Sequence, residues 1–249
     1  SHYWPVEEYL FDLPNWDGQD RIRALADCVP CENKEWKDFF YIWFLSMVAH
    51  WLQMDREHAN STSPLLVGPQ GCRKSTFCQN LLPPELRPYY VDGIDLGSRK
   101  DAEMALNRFA LINLDEFDSI PASRQPYLKN LLQKAKVTLR KPYGGNVEEM
   151  RRFASFIATS NTFSLLTDTT GSRRFIGVEV TGMIRIEPVD YPQLYAQAVN
   201  ALREGERYWF SAEEEVRLHR NNRAFEKRPL LEELFLYYFR APEEEEECT

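Results

Sequence analysis

The fold of this chain is restricted first of all by a glycine-containing segment that joins an apolar run to a Lys-Ser pair. Residues 65–77 read Leu-Leu-Val-Gly-Pro-Gln-Gly-Cys-Arg-Lys-Ser-Thr-Phe. The pattern predicts a buried strand, then a loop whose backbone N–H groups surround an anion, then a helix. In such loops the lysine reaches the outer phosphates of a nucleotide, and the next hydroxyl binds Mg²⁺. The residues expected to bind the nucleotide are Gly68, Pro69, Gln70, Gly71, Cys72, Arg73, Lys74, Ser75 and Thr76.

One position departs from the usual pattern of this loop, G-x-x-x-x-G-K-S. Arg73 stands where a glycine is expected. Glycine tolerates positive φ and lets a phosphate approach the backbone closely. An arginine costs strain if the position is left-handed and little if it is not, and its guanidinium could add a phosphate contact. We expect nucleotide binding in either case, whereas fast hydrolysis depends on which alternative holds.

A second apolar run, Phe109–Leu114, is followed directly by Asp115 and Glu116. Burial of a strand does not require two acids at its end, but a site for Mg²⁺ and a nucleotide does. We expect Asp115 to bind the metal or its waters, and Glu116 to polarise the attacking water. The alternative is a surface turn with two solvated carboxylates.

Two further motifs follow in an order that suits the same site. The apolar run 153–159 leads to Asn161, and parallel sheets bind ligands beyond the carboxyl ends of their strands. Asn161 is therefore predicted to orient water or the γ-phosphate, although asparagine is also a common turn residue. Arg173 and Arg174 precede the next apolar run, and their planar forks suit phosphate oxygens. They are interpreted as an arginine finger, a side chain that reaches across a subunit boundary to the nucleotide of the neighbouring copy. Surface ion pairs are the alternative.

A basic stretch lies between the acidic strand end and Asn161. Residues 129–152 contain seven Lys and Arg and two Glu, a net charge of +5, in a chain whose net charge is −8. Arg140, Lys141 and Tyr143 fall at the glycine-rich tip of a predicted hairpin, where basic and aromatic side chains can hold single-stranded nucleic acid. A solvated hairpin is the alternative. Residues 243–249 carry five of the negative charges and are predicted to be a disordered tail.

The alternation of apolar runs and helical patterns predicts an α/β fold with a mostly parallel sheet flanked by helices. The strand candidates are residues 65–67, 89–91, 109–114, 153–159 and 174–180. The predicted organisation is an N-terminal helical region (1–60), a core (61–182), a C-terminal helical region (183–242) and the tail (243–249).

Cellular location is predicted from the apolar runs and the cysteines. The run Phe39–Met54 is shorter than the about 20 residues of a membrane span and contains polar residues, so we expect a buried helix and no membrane. The five cysteines include Cys28-x-x-Cys31 without a second pair, which favours reduced thiols of a cytoplasmic protein over a zinc site. The chain begins at Ser1 and not at Met, and is interpreted as part of a longer protein.

Together these motifs resemble the virulence-associated E (VirE/VapE-like) family of P-loop NTPases, which is similar to superfamily 3 and phage primase-helicase ATPases of the AAA+ group. The resemblance covers about residues 3–180, including Tyr3–Leu10 and Asn15–Gly18. It implies that Lys74 and Ser75 form the Walker A pair, Asp115 and Glu116 the Walker B pair, Asn161 the sensor, and Arg173 or Arg174 the trans finger. Members of these groups are typically ring-forming ATPases of phage and mobile-element replication modules, often fused to a primase.

These observations predict a Mg²⁺-dependent ATPase of the DNA helicase or translocase type, acting as a homo-oligomeric ring on single-stranded DNA. Arg73 motivates an alternative, a nucleotide-regulated binding or assembly module with weak or no hydrolysis. A small-molecule kinase is a third interpretation. The paired acids, which favour water activation, and the absence of an obvious lid with catalytic arginines argue against it.

Overall fold

A computed structural model describes residues 4–54, 60–140, 147–163, 165–166 and 174–226, with backbone alone for 138–140 and 147–148. The strands are β1 (Ser63–Val67), β2 (Tyr90–Asp92), β3 (Leu111–Leu114), β4 (Lys136–Arg140), β5 (Val147–Arg151), β6 (Ser155–Ser160) and β7 (Phe175–Glu179). The helices are α1 (Pro5–Phe11), α2 (Arg21–Asp27), α3 (Trp36–Trp51), α4 (Lys74–Gln79), α5 (Arg99–Arg108), α6 (Gln125–Gln133), α7 (Tyr191–Arg203) and α8 (Ala212–Asn222).

Five strands form one sheet in the order β2-β3-β6-β1-β7, and each neighbouring pair is parallel. The remaining two, β4 and β5, form a separate antiparallel hairpin. Each of the five strand candidates from the sequence lies in the parallel sheet. The predicted α/β fold, with a parallel sheet flanked by helices, is therefore confirmed.

Helix α3 is buried on nearly all sides, with Trp36, Trp43 and Trp51 among its buried residues. A helix that is apolar all round belongs in a protein core or a membrane. Here α3 packs against α2 and α7, and one hydrophobic cluster joins these helices to β1 and β7. The expected buried helix is confirmed, and no helix among the described residues is long and apolar enough to cross a membrane. The division predicted at residues 60 and 182 stays a prediction.

A buried arginine directly after β5 bonds the base of the β4–β5 hairpin to other parts of the fold. Arg152 is 2% exposed, and its guanidinium donates to the carbonyl oxygens of Leu132 (2.6 Å) and Lys134 (3.2 Å) at the end of α6. It also donates to the carbonyls of Asn60 (3.0 Å) and Ala154 (2.7 Å). Since the last carbonyls of a helix have no intrahelical partner, a buried helix end needs such donors. Arg152 thus joins α6 to the segments that lead into β1 and β6.

The outer edge of β7 is bonded to two asparagines at the end of α8. Asn222 accepts from the Gly177 N–H (3.0 Å) and donates to the Phe175 carbonyl (2.6 Å), while Asn221 donates to the Gly177 carbonyl (2.7 Å). A Cβ at Gly177 would lie 2.5 Å from the Phe225 ring, so only glycine fits beneath the segment that follows α8. The edge is consequently covered by side chains as well as hydrogen-bonded.

Candidate functional site

The loops that follow β1, β3 and β6 lie together because these three strands are adjacent and parallel. Lys74 opens α4 after the β1 loop, and its side chain is buried. The Nζ atom donates to the carbonyls of Gly68 (2.7 Å) and Pro69 (2.9 Å) and to Asn161 Oδ1 (3.1 Å). The sequence-predicted residues Lys74 and Asn161, 87 positions apart, are thus in direct contact.

Ser75 and Asp115 form the second contact of the site. Ser75 Oγ donates to Asp115 Oδ1 at 3.0 Å, and the hydroxyl of Thr159 donates to the same carboxylate oxygen. A hydroxyl and a carboxylate are hard oxygen ligands, the kind that Mg²⁺ takes from proteins while keeping waters or phosphate oxygens in its other positions. Ser75 and Asp115 therefore fit this ion. Within the part of the chain that the structure describes, no three His, Cys, Asp or Glu side chains are grouped as metal ligands.

Glu116 and Asp118 complete the loop after β3. Glu116 is exposed and adopts a left-handed conformation (φ 50°, ψ 51°), which few residues other than glycine take. Asp118 Oδ1 accepts from Ser160 Oγ (2.8 Å) and from the Asn161 N–H (3.3 Å). Sequence reasoning missed Asp118, whose position three residues after Asp115 was the available signal. Its carboxylate positions the end of β6, and with it Asn161.

The two glycines of the β1 loop are required by its geometry. A Cβ at Gly68 would lie 2.9 Å from the Val180 carbonyl oxygen, on the segment that follows β7. Gly71 has φ +85°, a conformation that residues with a side chain rarely adopt. The loop thus has the glycines that its backbone needs at these two positions.

Arg73 is left-handed (φ 71°, ψ 27°) and its side chain is exposed. This conformation costs a residue with a Cβ about 1–2 kcal/mol. We expect Arg73→Gly to raise the free energy of unfolding by about 0.5–1 kcal/mol, because glycine removes the strain but gains entropy in the unfolded chain. Urea denaturation measures the change, and Arg73→Ala, which keeps a Cβ, is the matched control. If Arg73→Gly is less stable than wild type, the backbone at Arg73 is not strained.

Comparison with known proteins assigns the chain to a family. The model of the virulence-associated protein E-like domain matches residues 10–227, most of the chain. The chain belongs to this family. No curated protein matches the sequence of this VapE-like domain.

Solved structures resemble the VapE-like domain in fold. An apo structure of the C-terminal region of NrS-1 has a TM-score of 0.53 and 14% sequence identity, covering 90% of this chain and 56% of that one. Two further apo structures of that region have TM-scores of 0.49 and 0.48 at 15% and 17% identity, each covering 87% of this chain and 46% of the other. The domain therefore spans about half the length of these structures, and at such identity the likeness concerns the fold alone.

The remaining predicted site residues of the VapE-like domain fall partly outside the described residues. Arg174 lies directly before β7 and is partly buried. Arg173, Lys141 and Tyr143 are outside the described residues, as are the side chain of Arg140 and the predicted tail 243–249. The roles assigned to these residues stay predictions.

Much of the positive charge of the basic stretch is already paired. Arg151 contacts Glu7 (2.9 Å), Lys136 contacts Glu149 (2.8 Å), and Lys134 is bonded to Glu103. Arg152 is buried against backbone carbonyls, as described above. A nucleic-acid surface on this hairpin of the VapE-like domain would therefore depend on its tip and not on the base of β4 and β5.

A polar cluster beneath α4 was not anticipated from the sequence. Tyr90 Oη donates to Asp92 Oδ1 (2.6 Å), and Asn113 Nδ2, which is buried, donates to the same oxygen (2.8 Å). Burial raises the pKa of the Tyr90 hydroxyl, and burial, reinforced by Asp92 and Asp115, raises the pKa of the Cys78 thiol well above its ordinary value. Both groups stay protonated at neutral pH. Cys78 is therefore an uncharged packing residue of the VapE-like domain and not a nucleophile.

Proposed function

We propose that this VapE-like domain is a Mg²⁺-dependent nucleoside triphosphatase of the P-loop type, with ATP as the expected substrate. One observation carries the proposal: at the carboxyl edge of the sheet, Lys74 contacts Asn161 and Ser75 contacts Asp115. Lys74 and Ser75 open α4, whereas Asn161 follows β6 and Asp115 follows β3. An α/β sheet binds ligands at this edge. Burial of strands alone does not call for a lysine, a hydroxyl and a carboxylate at this place.

Each side chain has a distinct part in the proposed hydrolysis. Lys74 Nζ exchanges the carbonyls of Gly68 and Pro69 for phosphate oxygens and balances their charge. The water oxygen attacks the γ-phosphorus, the bond to the bridging oxygen breaks, and Glu116 accepts the proton that the water loses. Asn161 orients the water or the γ-phosphate. Mg²⁺ held by Ser75 and Asp115 would supply positive charge next to the β- and γ-phosphate oxygens.

We further propose that the domain works as a homo-oligomeric ring on single-stranded DNA, in a longer replication protein of a phage or mobile element that could include a primase. Arg173 or Arg174 would reach the nucleotide of the neighbouring copy, and Arg140, Lys141 and Tyr143 would contact the strand. Their order along the chain and the position of the tip between β4 and β5 support this assignment.

Phosphate release by the wild-type protein tests the proposal. We expect hydrolysis of ATP in the presence of Mg²⁺, its loss on addition of EDTA, and its recovery on addition of excess Mg²⁺. A single-stranded oligonucleotide should stimulate it. Sedimentation with a slowly hydrolysed ATP analogue should show larger species than sedimentation without it. Binding of no nucleotide would overturn the whole proposal, whereas hydrolysis without assembly or stimulation would overturn only the ring translocase.

The strain at Arg73 favours a second candidate, a nucleotide-regulated binding or assembly module with little turnover. A left-handed arginine beside Lys74 keeps bulk and charge at a place where phosphate-binding loops have glycine. Steady-state hydrolysis by wild type and by Arg73→Gly separates the two. A much faster variant would support the regulated module, and equal rates would remove its basis.

A further inference from the structure

A cavity of about 180 Å³ lies beside α4, apart from the loop that holds Lys74. Its walls come from α2, from α4 and from the segment that follows β7, residues 185–190. The apolar side chains that line it are Ala24, Leu25, Phe77, Ile186, Pro188 and Val189. We call this space the side cavity. Pockets that enclose a whole drug-sized ligand measure about 300–1,000 Å³. The side cavity is smaller and suits one flat group, such as a single ring or two fused rings.

The side cavity is held at a fixed place relative to the loop. Its wall is tied to the loop by the Ile184 N–H, which donates to the Cys72 carbonyl at 3.1 Å. The same wall is tied to α2 by the Arg185 N–H, which donates to the Cys28 carbonyl at 3.0 Å. Because a helix rises about 1.5 Å per residue, Phe77 lies about 4.5 Å beyond Lys74 along α4. A group bound in the side cavity is therefore within reach of a phosphate chain bound at Lys74.

The charges around the side cavity favour a neutral ligand over a second anion. Arg21 is paired with Asp17 (2.6 Å) and lies 3.6 Å from Asp190, and Arg185 is paired with Asp27 (2.9 Å). These two arginines therefore have carboxylate partners already. Glu187 also lines the cavity, with Oε1 3.4 Å from Arg185 Nε, and its second carboxylate oxygen can accept from a ring amino or imino group. Apolar faces with a few polar groups at the rim are what a heteroaromatic ring requires.

We propose that the side cavity binds the base of the nucleotide and that it selects purines over pyrimidines. The inference rests on the proposed function, because it places the triphosphate at Lys74. A bicyclic purine buries more apolar surface between Leu25 and the 186–189 wall than a pyrimidine does, and buried apolar area sets the gain in affinity. Helix α2, which precedes the parallel sheet in the chain, thereby becomes part of the substrate site.

Calorimetry with Mg²⁺ and five ligands tests the inference: ATP, GTP, CTP, UTP and inorganic tripolyphosphate, which has no base. We expect the purine nucleotides to bind at least tenfold more tightly than the pyrimidine nucleotides and than tripolyphosphate. Ala24 is exposed on α2 at the cavity, so Ala24→Trp covers the opening without disturbing the core. This variant should lose at least tenfold in ATP affinity and keep its affinity for tripolyphosphate.

Two more variants complete the test. Ala212→Trp adds the same bulk at an exposed helical position that does not line the side cavity, and should bind ATP as wild type does. Ile186→Glu places a charge in the wall that faces α2, and should weaken the binding of ATP as Ala24→Trp does. Suppose that tripolyphosphate binds the wild type. Equal affinity for all four nucleotides, or an ATP affinity unchanged by Ala24→Trp and Ile186→Glu, then overturns the base site alone. If neither ATP nor tripolyphosphate binds the wild type, the proposed function itself fails.

Discussion

Replacing Lys74 with alanine is expected to lower kcat/KM for ATP hydrolysis by about 10³-fold, the effect of removing one preorganised donor from a water-excluded site. Lys74 is 7% exposed, and its ammonium is held by two loop carbonyls and by Asn161. Its charge is therefore fixed where the outer phosphates are proposed to lie. Steady-state phosphate release measures the rate, and calorimetry measures the accompanying loss of nucleotide affinity.

Two comparisons make this result specific. Lys100→Ala removes an exposed lysine of α5 and should leave both rate and affinity unchanged. Glu116→Gln keeps the size of the side chain but removes the base, so it should retain affinity and lose about 10²-fold or more in kcat. A Lys74→Ala protein that hydrolyses ATP at the wild-type rate would contradict the assignment of this loop as the phosphate site.

Replacing Arg152 with alanine is expected to lower the free energy of unfolding by about 3–5 kcal/mol, because hydrogen bonds to a charged group contribute about 1.5–3 kcal/mol each and several are lost together. The change leaves the carbonyls of Asn60, Leu132, Lys134 and Ala154 without their charged donor. For a chain of this length the melting temperature should fall by about 6–20 °C. Urea denaturation followed by circular dichroism measures the loss.

Lys136→Ala is the matched control, since it removes one positive charge from the start of β4, near the base of the hairpin that Arg152 follows. Its ammonium is mostly exposed and paired with Glu149, so the expected loss is below about 1 kcal/mol. Arg152→Lys keeps the charge but cannot bond several carbonyls with a rigid fork, and should be destabilised by an intermediate amount. Equal stability of Arg152→Ala and wild type would show that Arg152 does not hold α6 in place.

Several features of the site were predictable because its polar and charged residues follow apolar runs closely in the sequence. Strands of about five residues bring their carboxyl ends to one edge when they pair in parallel, so Lys74, Asp115 and Asn161 were expected to meet. The sequence also shows that position 73 of the loop is unusual, because an arginine stands where a glycine is expected. It does not give the sign of φ at Arg73, which depends on how the loop closes against the segment after β7.

Other features depend on contacts between distant parts of the chain. Arg152 was counted only as one of the positive charges of the basic stretch, but its partner Asn60 lies 92 positions away. The side cavity joins Ala24 to residues 185–190, a pairing that helical periodicity cannot reveal. Local patterns predict which segments are strands or helices, whereas these burials follow from how the segments pack.

The asparagine contacts along β7 bear on how copies of this protein could associate. An uncovered edge strand is a template on which another chain can add a strand. At β7 the backbone groups of Phe175 and Gly177 are already bonded to Asn222 and Asn221, and the Phe225 ring lies over Gly177. Sheet extension between molecules is therefore blocked on this side. Copies that meet through this side must recognise each other by side-chain shape and charge, which allows a discrete assembly and disfavours open-ended fibres.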